Sequence, residues 1–113
     1  MKRIALAVLC VFLLRWSPLF AEGFVHNAIS VATSSTAVYA ASYSRYFLLL
    51  ENISDTDISC NLAGDAAVVG QGVVLKKDGG YLLLDVRAAM PLAAIACIHG
   101  GSGTKALAAT QID

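Results

Sequence analysis

Arg45-Tyr-Phe-Leu-Leu-Leu-Glu-Asn-Ile-Ser-Asp-Thr-Asp-Ile-Ser-Cys-Asn-Leu-Ala-Gly64 is the stretch on which the fold turns. Over residues 45–53 apolar side chains occupy both parities: Tyr46, Leu48 and Leu50 point one way, Phe47, Leu49 and Glu51 the other. A run apolar on both faces reads as a central strand, or as one covered on both sides. Asn52-Ile-Ser-Asp-Thr-Asp57 then supplies turn chemistry, because Asn, Asp and Ser side chains hydrogen-bond the backbone close by. Beyond the turn, Ile58, Cys60 and Leu62 alternate with Ser59 and Asn61, the period of a half-buried strand. Strand, polar turn and strand together read as a hairpin.

Working outward, the same signals recur. Residues 24–33 and 36–40 are β-prone pieces separated by Thr33-Ser-Ser-Thr36. Residues 66–69, 73–76, 81–86, 92–99 and 105–112 are further candidates, divided by Gly70-Gln-Gly72, Lys77-Asp-Gly-Gly80, Met90-Pro91 and Gly100-Gly-Ser-Gly103. Lys77-Asp-Gly-Gly80 is a hairpin signal, since glycine supplies the positive φ of tight turns. The alanine-rich pieces near the end are shorter than the ~10–12 residues of an ordinary helix, so they read as strands. The expected fold is all-β: a small antiparallel sandwich or barrel of about eight short strands.

That single domain is expected over residues 22–113. Ahead of it, Lys2 and Arg3 precede an unbroken apolar run at residues 4–14, and Arg15-Trp-Ser-Pro-Leu-Phe-Ala21 follows. This order matches a secretory signal-peptide helix at residues 1–21, with cleavage after Ala21. The run is shorter than the ~20 residues that span a bilayer, so no stable membrane span is expected in the mature chain. The alternative is a misassigned start, with the protein beginning near Val25. Without residues 1–21 the chain has five basic and eight acidic residues, a net charge of −3 spread without runs. Such a surface offers no electrostatic footprint for nucleic acid.

Two cysteines remain in that part, Cys60 and Cys97. In an oxidising compartment they can form one disulfide; in a reducing one they are two small buried apolar residues. The reading stays open at that point.

No catalytic constellation assembles from the residues. His99-Gly-Gly-Ser-Gly103 has the look of an oxyanion loop, but the long α/β chain and the Gly-x-Ser-x-Gly elbow it serves are missing. Gly100-Gly-Ser-Gly-Thr-Lys105 holds phosphate-loop residues in the wrong order. Cys60, Cys97, His26 and His99 lack the short paired spacing of a zinc site. Asp55-Thr-Asp57 lacks the later ligands of a calcium loop. Asn52-Ile-Ser54 is formally a glycosylation sequon. Tyr39, Tyr43 and Tyr46 are candidate interface residues, with core and rim positions as the alternative. No catalytic, cofactor-binding or metal residue is expected, and the chain reads as a non-enzyme without a cofactor.

Residues 29–110 resemble a group of small virion-associated, decoration-like β-domain proteins of tailed bacteriophages. The resemblance rests on Thr33-Ser-Ser-Thr36, on Ser44-Arg45 leading into Leu48-Leu-Leu-Glu-Asn52, and on Ser54-Asp-Thr-Asp-Ile58 with Asn61-Leu62. Gly70-x-Gly72 before Val74-Leu75, Gly79-Gly80 and the alanine-rich end complete it. It implies a structural or interaction module, a homo-oligomer or a capsid or virion partner, and a place in the virion. The apparent signal peptide departs from that pattern. Either the start is misassigned, or the alternative holds: a secreted, periplasmic or cell-surface β-domain that binds a ligand or protein partner through its loops.

Overall fold

Apart from β4 and β5, the strands pair with partners remote in sequence. A computed structural model describes residues 23–86 and 89–113. Its strands are β1 (Phe24–Val31), β2 (Thr36–Tyr39), β3 (Phe47–Asn52), β4 (Ile58–Asn61), β5 (Val73–Leu75), β6 (Tyr81–Leu84), β7 (Ile95–His99) and β8 (Lys105–Ile112). They form two four-stranded antiparallel sheets, ordered β1-β8-β3-β6 and β2-β7-β4-β5. The expected signal-peptide segment and its cleavage point lie outside the described residues.

This order has a simple origin. β1 pairs with β8, β2 with β7, β3 with β6 and β4 with β5. Those are the pairs of one long hairpin whose tip is the β4–β5 connection. Rolling that hairpin brings β3 against β8 and β4 against β7, which divides it into two sheets. The result is the eight-stranded, double Greek-key jelly roll. Alternate residues of each sheet face inward. Leu48 and Leu50 from β3 and Leu107 from β8 meet Ile58 and Cys60 from β4 and Ile95 and Cys97 from β7, all fully buried.

Three expectations need correction. Residues 45–64 are not a hairpin: β3 and β4 lie in different sheets, and residues 53–57 carry the chain from one to the other. Lys77-Asp-Gly-Gly80 is likewise a crossover, from β5 to β6, although its turn chemistry is as read, with Asp78 at φ 60° and Gly79 at φ 107°. The physical reason is that the two turns bind each other. Asn52 N–H donates to the Gly80 carbonyl, Gly79 N–H to the Asn52 carbonyl and Asp78 N–H to the Ser54 carbonyl, at 2.7–2.8 Å. Backbone groups that a hairpin would pair along a ladder are spent between the crossovers.

Residues 66–69 are no strand. They belong to the β4–β5 connection, which folds over the outer face of the β2-β7-β4-β5 sheet. Ala67 N–H donates to Ser35 Oγ at 2.8 Å and Gly70 N–H to Ser59 Oγ at 2.9 Å. Ser59, on the outward parity of β4, is buried by this cover. Gly72 closes the connection at φ 77°, where a Cβ would collide with the Cys60 carbonyl, so only glycine fits.

Finally, β3 is central in its sheet, as its pattern implies, but it is not covered on both sides. Leu48, Leu50 and Asn52 are buried, whereas Phe47, Leu49 and Glu51 are only half-buried.

Candidate functional site

Cys60 and Cys97 face each other across β4 and β7 and are joined as a disulfide. Their Cα atoms are 4.1 Å apart, as expected for directly opposed residues whose backbones do not bond each other. Both are fully buried in the middle of the core.

The polar residues singled out in the sequence gather at one end of the sandwich. Asp55, Thr56, Asp57, Val69, Lys77, Gly100 and Gly101 line an open depression of about 430 Å³. Its two carboxylates are already engaged. Asp55 Oδ1 takes a 2.8 Å bond from Lys105 Nζ, and Asp57 Oδ1 a 2.8 Å bond from Lys77 N–H. The Lys105 ammonium and the Lys77 amide hold the two carboxyls below the usual Asp range. His99, buried beneath, is a structural residue: Gly101 N–H donates to Nδ1 at 3.1 Å, so Nε2 carries the hydrogen it gives to the Gly103 carbonyl at 2.7 Å. Among the described residues no group of three or more His, Cys, Asp or Glu could hold a metal ion.

A folded-state pKa below the ordinary value gives a definite sign. The stability from Asp55 and Asp57 is present above that ordinary value and is lost as pH falls through the folded one. Lowering the pH from about 5 to about 2.5 should therefore reduce the urea midpoint more in the wild type than in the Asp55→Asn/Asp57→Asn variant. Equal losses would remove the two pairs from the acid response.

Arg45 begins the key stretch and is buried, which its charge did not announce. Its Nε donates to Gln111 Oε1 at 2.8 Å, Nη1 to the carbonyls of Pro91 at 2.6 Å and Ala93 at 3.2 Å, and Nη2 to that of Ala40 at 2.8 Å. The guanidinium ties together the β2–β3 connection, the β6–β7 connection and β8. Burial lowers its pKa from the ordinary arginine value, while the Asp113 carboxylate acts the other way. Arg45→Met keeps the apolar stem but orphans these acceptors, and is expected to cost about 2–3 kcal/mol in denaturant unfolding. Arg45→Lys should recover little of it, because an ammonium cannot reproduce the planar fork.

The three tyrosines separate. Tyr39 is a core residue, with its ring 5.9 Å from the Arg45 guanidinium and its hydroxyl donating to the Val25 carbonyl at 3.2 Å, so it leaves the surface set. Burial raises its pKa above the ordinary tyrosine value. Tyr43 is 89% exposed and Tyr46 38%.

The more extensive surface is one the sequence pattern did not single out. Register places Phe24, Ile112 and Phe47 in one row across the outer face of the β1-β8-β3-β6 sheet. The next row is His26, Thr110, Leu49 and Leu83, and the third Ala28, Ala108, Glu51 and Tyr81. Phe24 stacks on His26 with ring centroids 5.8 Å apart and meets Phe47 edge-on at 6.1 Å. Leu83 is 49% exposed and Tyr81 67%. This face is largely apolar, with Glu51 and the His26–Thr110 pair, bonded at 2.9 Å, as polar members, and among the described residues it has no covering segment like that on the opposite sheet. The missed signal was the second parity of the Leu-Leu-Leu runs at residues 48–50 and 82–84.

Comparison with family models, with curated proteins and with solved structures gives no match.

Proposed function

We propose that this chain is an exported, non-enzymatic interaction domain that acts by binding a protein partner through its surface. The observation that carries the reading is the largely apolar outer face of the β1-β8-β3-β6 sheet, which no described segment covers. Contiguous apolar patches on small soluble domains mark interaction sites. The Cys60–Cys97 bond supports an oxidising compartment, since disulfides persist in such surroundings. The leader-like order at residues 1–21 agrees with it. At the loop end, Asp55 and Asp57 are held by Lys105 and the Lys77 amide, which supports a structural part for these two carboxylates.

A second reading, a phage virion accessory protein, draws support from the jelly-roll strand order, an architecture also used by capsid proteins. That support is fold-level analogy. Intact mass under non-reducing conditions separates the two. The exported reading expects a chain beginning at Glu22 with two hydrogens fewer than the dithiol. A chain beginning at Met1 or near Val25 with free thiols would overturn it and leave the virion reading. Flanking capsid or tail genes would favour that second reading too.

A further inference from the structure

We infer that the Asp78–Gly79 peptide is a modification site of this chain: it rearranges to an isoaspartyl linkage when the β5–β6 crossover opens, and the closed crossover holds that reaction off. Asp78 is the one Asp or Asn in the sequence that glycine follows. A side-chain carboxyl and the amide nitrogen of the next residue are the two groups that close a succinimide ring. Glycine, with no side chain beside that nitrogen, hinders the closure least. The turn itself asks for this pair. Asp78 at φ 60° and Gly79 at φ 107° both need positive φ, which Asp tolerates and glycine favours. Asp78 is also exposed, so water reaches its carboxyl.

The attacking atom is the Gly79 nitrogen, and the fold has already committed it. Its N–H donates to the Asn52 carbonyl at 2.7 Å. On either side, Asp78 N–H donates to the Ser54 carbonyl at 2.8 Å and Gly80 N–H to the Lys76 carbonyl at 3.0 Å. These bonds fix the backbone around the nitrogen, which cannot swing onto Asp78 Cγ until they break. Once they do, the nitrogen bonds to Cγ of the protonated carboxyl, and the amide proton leaves with the carboxyl hydroxyl as water. Water then adds to the Asp78 main-chain carbonyl carbon, whose bond to the Gly79 nitrogen breaks. The chain now runs through Cγ, the former carbonyl is a free carboxyl, and the composition is unchanged. One methylene has entered the backbone between the Asp78 and Gly79 amides. In the native crossover those two amides meet the Ser54 and Asn52 carbonyls, so the lengthened chain loses that match. A transient opening thereby becomes a lasting loss.

The test incubates the purified product of the full gene, disulfide intact, in buffer and in unfolding guanidinium chloride. Mildly acidic pH is used, where ordinary carboxyls begin to protonate and hydroxyl can leave as water. Isoaspartate is then located by peptide mass spectrometry after digestion with a protease that cleaves at Asp and not at isoaspartate. The unfolded chain should accumulate it at residue 78 faster than at Asp55, Asp57, Asp65 or Asp85. It should also do so at least ~10-fold faster than the folded chain, in which the crossover bonds must first open. Asp78→Glu, whose longer side chain closes its ring far more slowly, should abolish the signal at residue 78 in the unfolded chain, whether or not the variant folds. Isomerised chain, returned to buffer and separated from the unmodified chain, should show a lower urea midpoint. Equal rates in the folded and unfolded chains, no preference for Asp78 in the unfolded chain, a signal that survives Asp78→Glu, or an isomerised chain with the native midpoint would each overturn the inference.

Discussion

Reducing the Cys60–Cys97 bond should lower the thermal midpoint by about 15–25 °C, with the Cys60→Ala/Cys97→Ala variant at least as destabilised. The bond closes a loop with a sequence separation of 37 residues. Loop-closure entropy for such a loop stabilises the folded chain by ~3–4 kcal/mol, and a domain of this size shifts by about 4–8 °C per kcal/mol. What is crosslinked matters as much as the loop length. β4 and β7 are distant in sequence, and β5 and β6 lie between them. Their pairing makes the middle of one sheet, so the bond holds together in the unfolded ensemble the two strands whose meeting is otherwise improbable. The reduced wild type and the double alanine variant separate two contributions, because only the variant also loses buried sulfur volume. Both cysteines being fully buried, reductant should reach the bond at a rate that follows opening of the β2-β7-β4-β5 sheet. A reduced wild type melting within a few degrees of the oxidised protein would mean that the bond does not constrain the chain in solution.

The strands were legible because their alternation is local, and the sheets were not because pairing is remote. Leu48 and Leu50 announce an inward face wherever β3 sits. Nothing within residues 45–64 tells that β3 has β8 and β6 as its neighbours. Turn chemistry misled for a related reason. Asp78 and Gly79 provide positive φ whether the next strand returns to the same sheet or leaves for the other one. The decision is made by tertiary bonds between two turns more than twenty residues apart, such as the 2.8 Å bond from Asp78 N–H to the Ser54 carbonyl. The candidate surface was half legible. Leucines at both parities were visible and pointed to a central strand or one covered on both sides; β3 is central, and its second parity lies on the outer face. Only the path of the β4–β5 connection reveals which of the two sheets is roofed.

Replacing Asn52 with Leu should cost about 4 kcal/mol in urea unfolding, enough to leave a marginally stable domain partly unfolded at 37 °C. Asn52 continues the inward parity of Leu48 and Leu50 and is fully buried, at a place where the pattern would otherwise put a third leucine. All of its side-chain capacity is used. Nδ2 donates to the carbonyls of Thr56 at 2.8 Å and Leu75 at 2.9 Å, while Oδ1 accepts from Ser54 N–H at 2.9 Å and Ser54 Oγ at 2.7 Å. One amide thus holds the β3–β4 crossover in shape and fastens it to β5 in the opposite sheet. Leucine fills the volume but takes the side-chain donor from the Leu75 carbonyl and the acceptor from Ser54 N–H, each costing about 1–3 kcal/mol where water cannot replace it. Ser54 Oγ keeps its 3.0 Å bond to the Thr56 carbonyl. Asn52→Asp keeps the acceptor and loses both donations, so it should be destabilised as well and should recover in part at low pH, where the carboxyl can donate one bond. The same geometry answers the sequon. The amide nitrogen a glycan would occupy is committed inside the core, so a chain glycosylated at Asn52 cannot form this crossover. If Asn52→Leu unfolds within about 1 kcal/mol of the wild type, the crossover is held by backbone bonds alone.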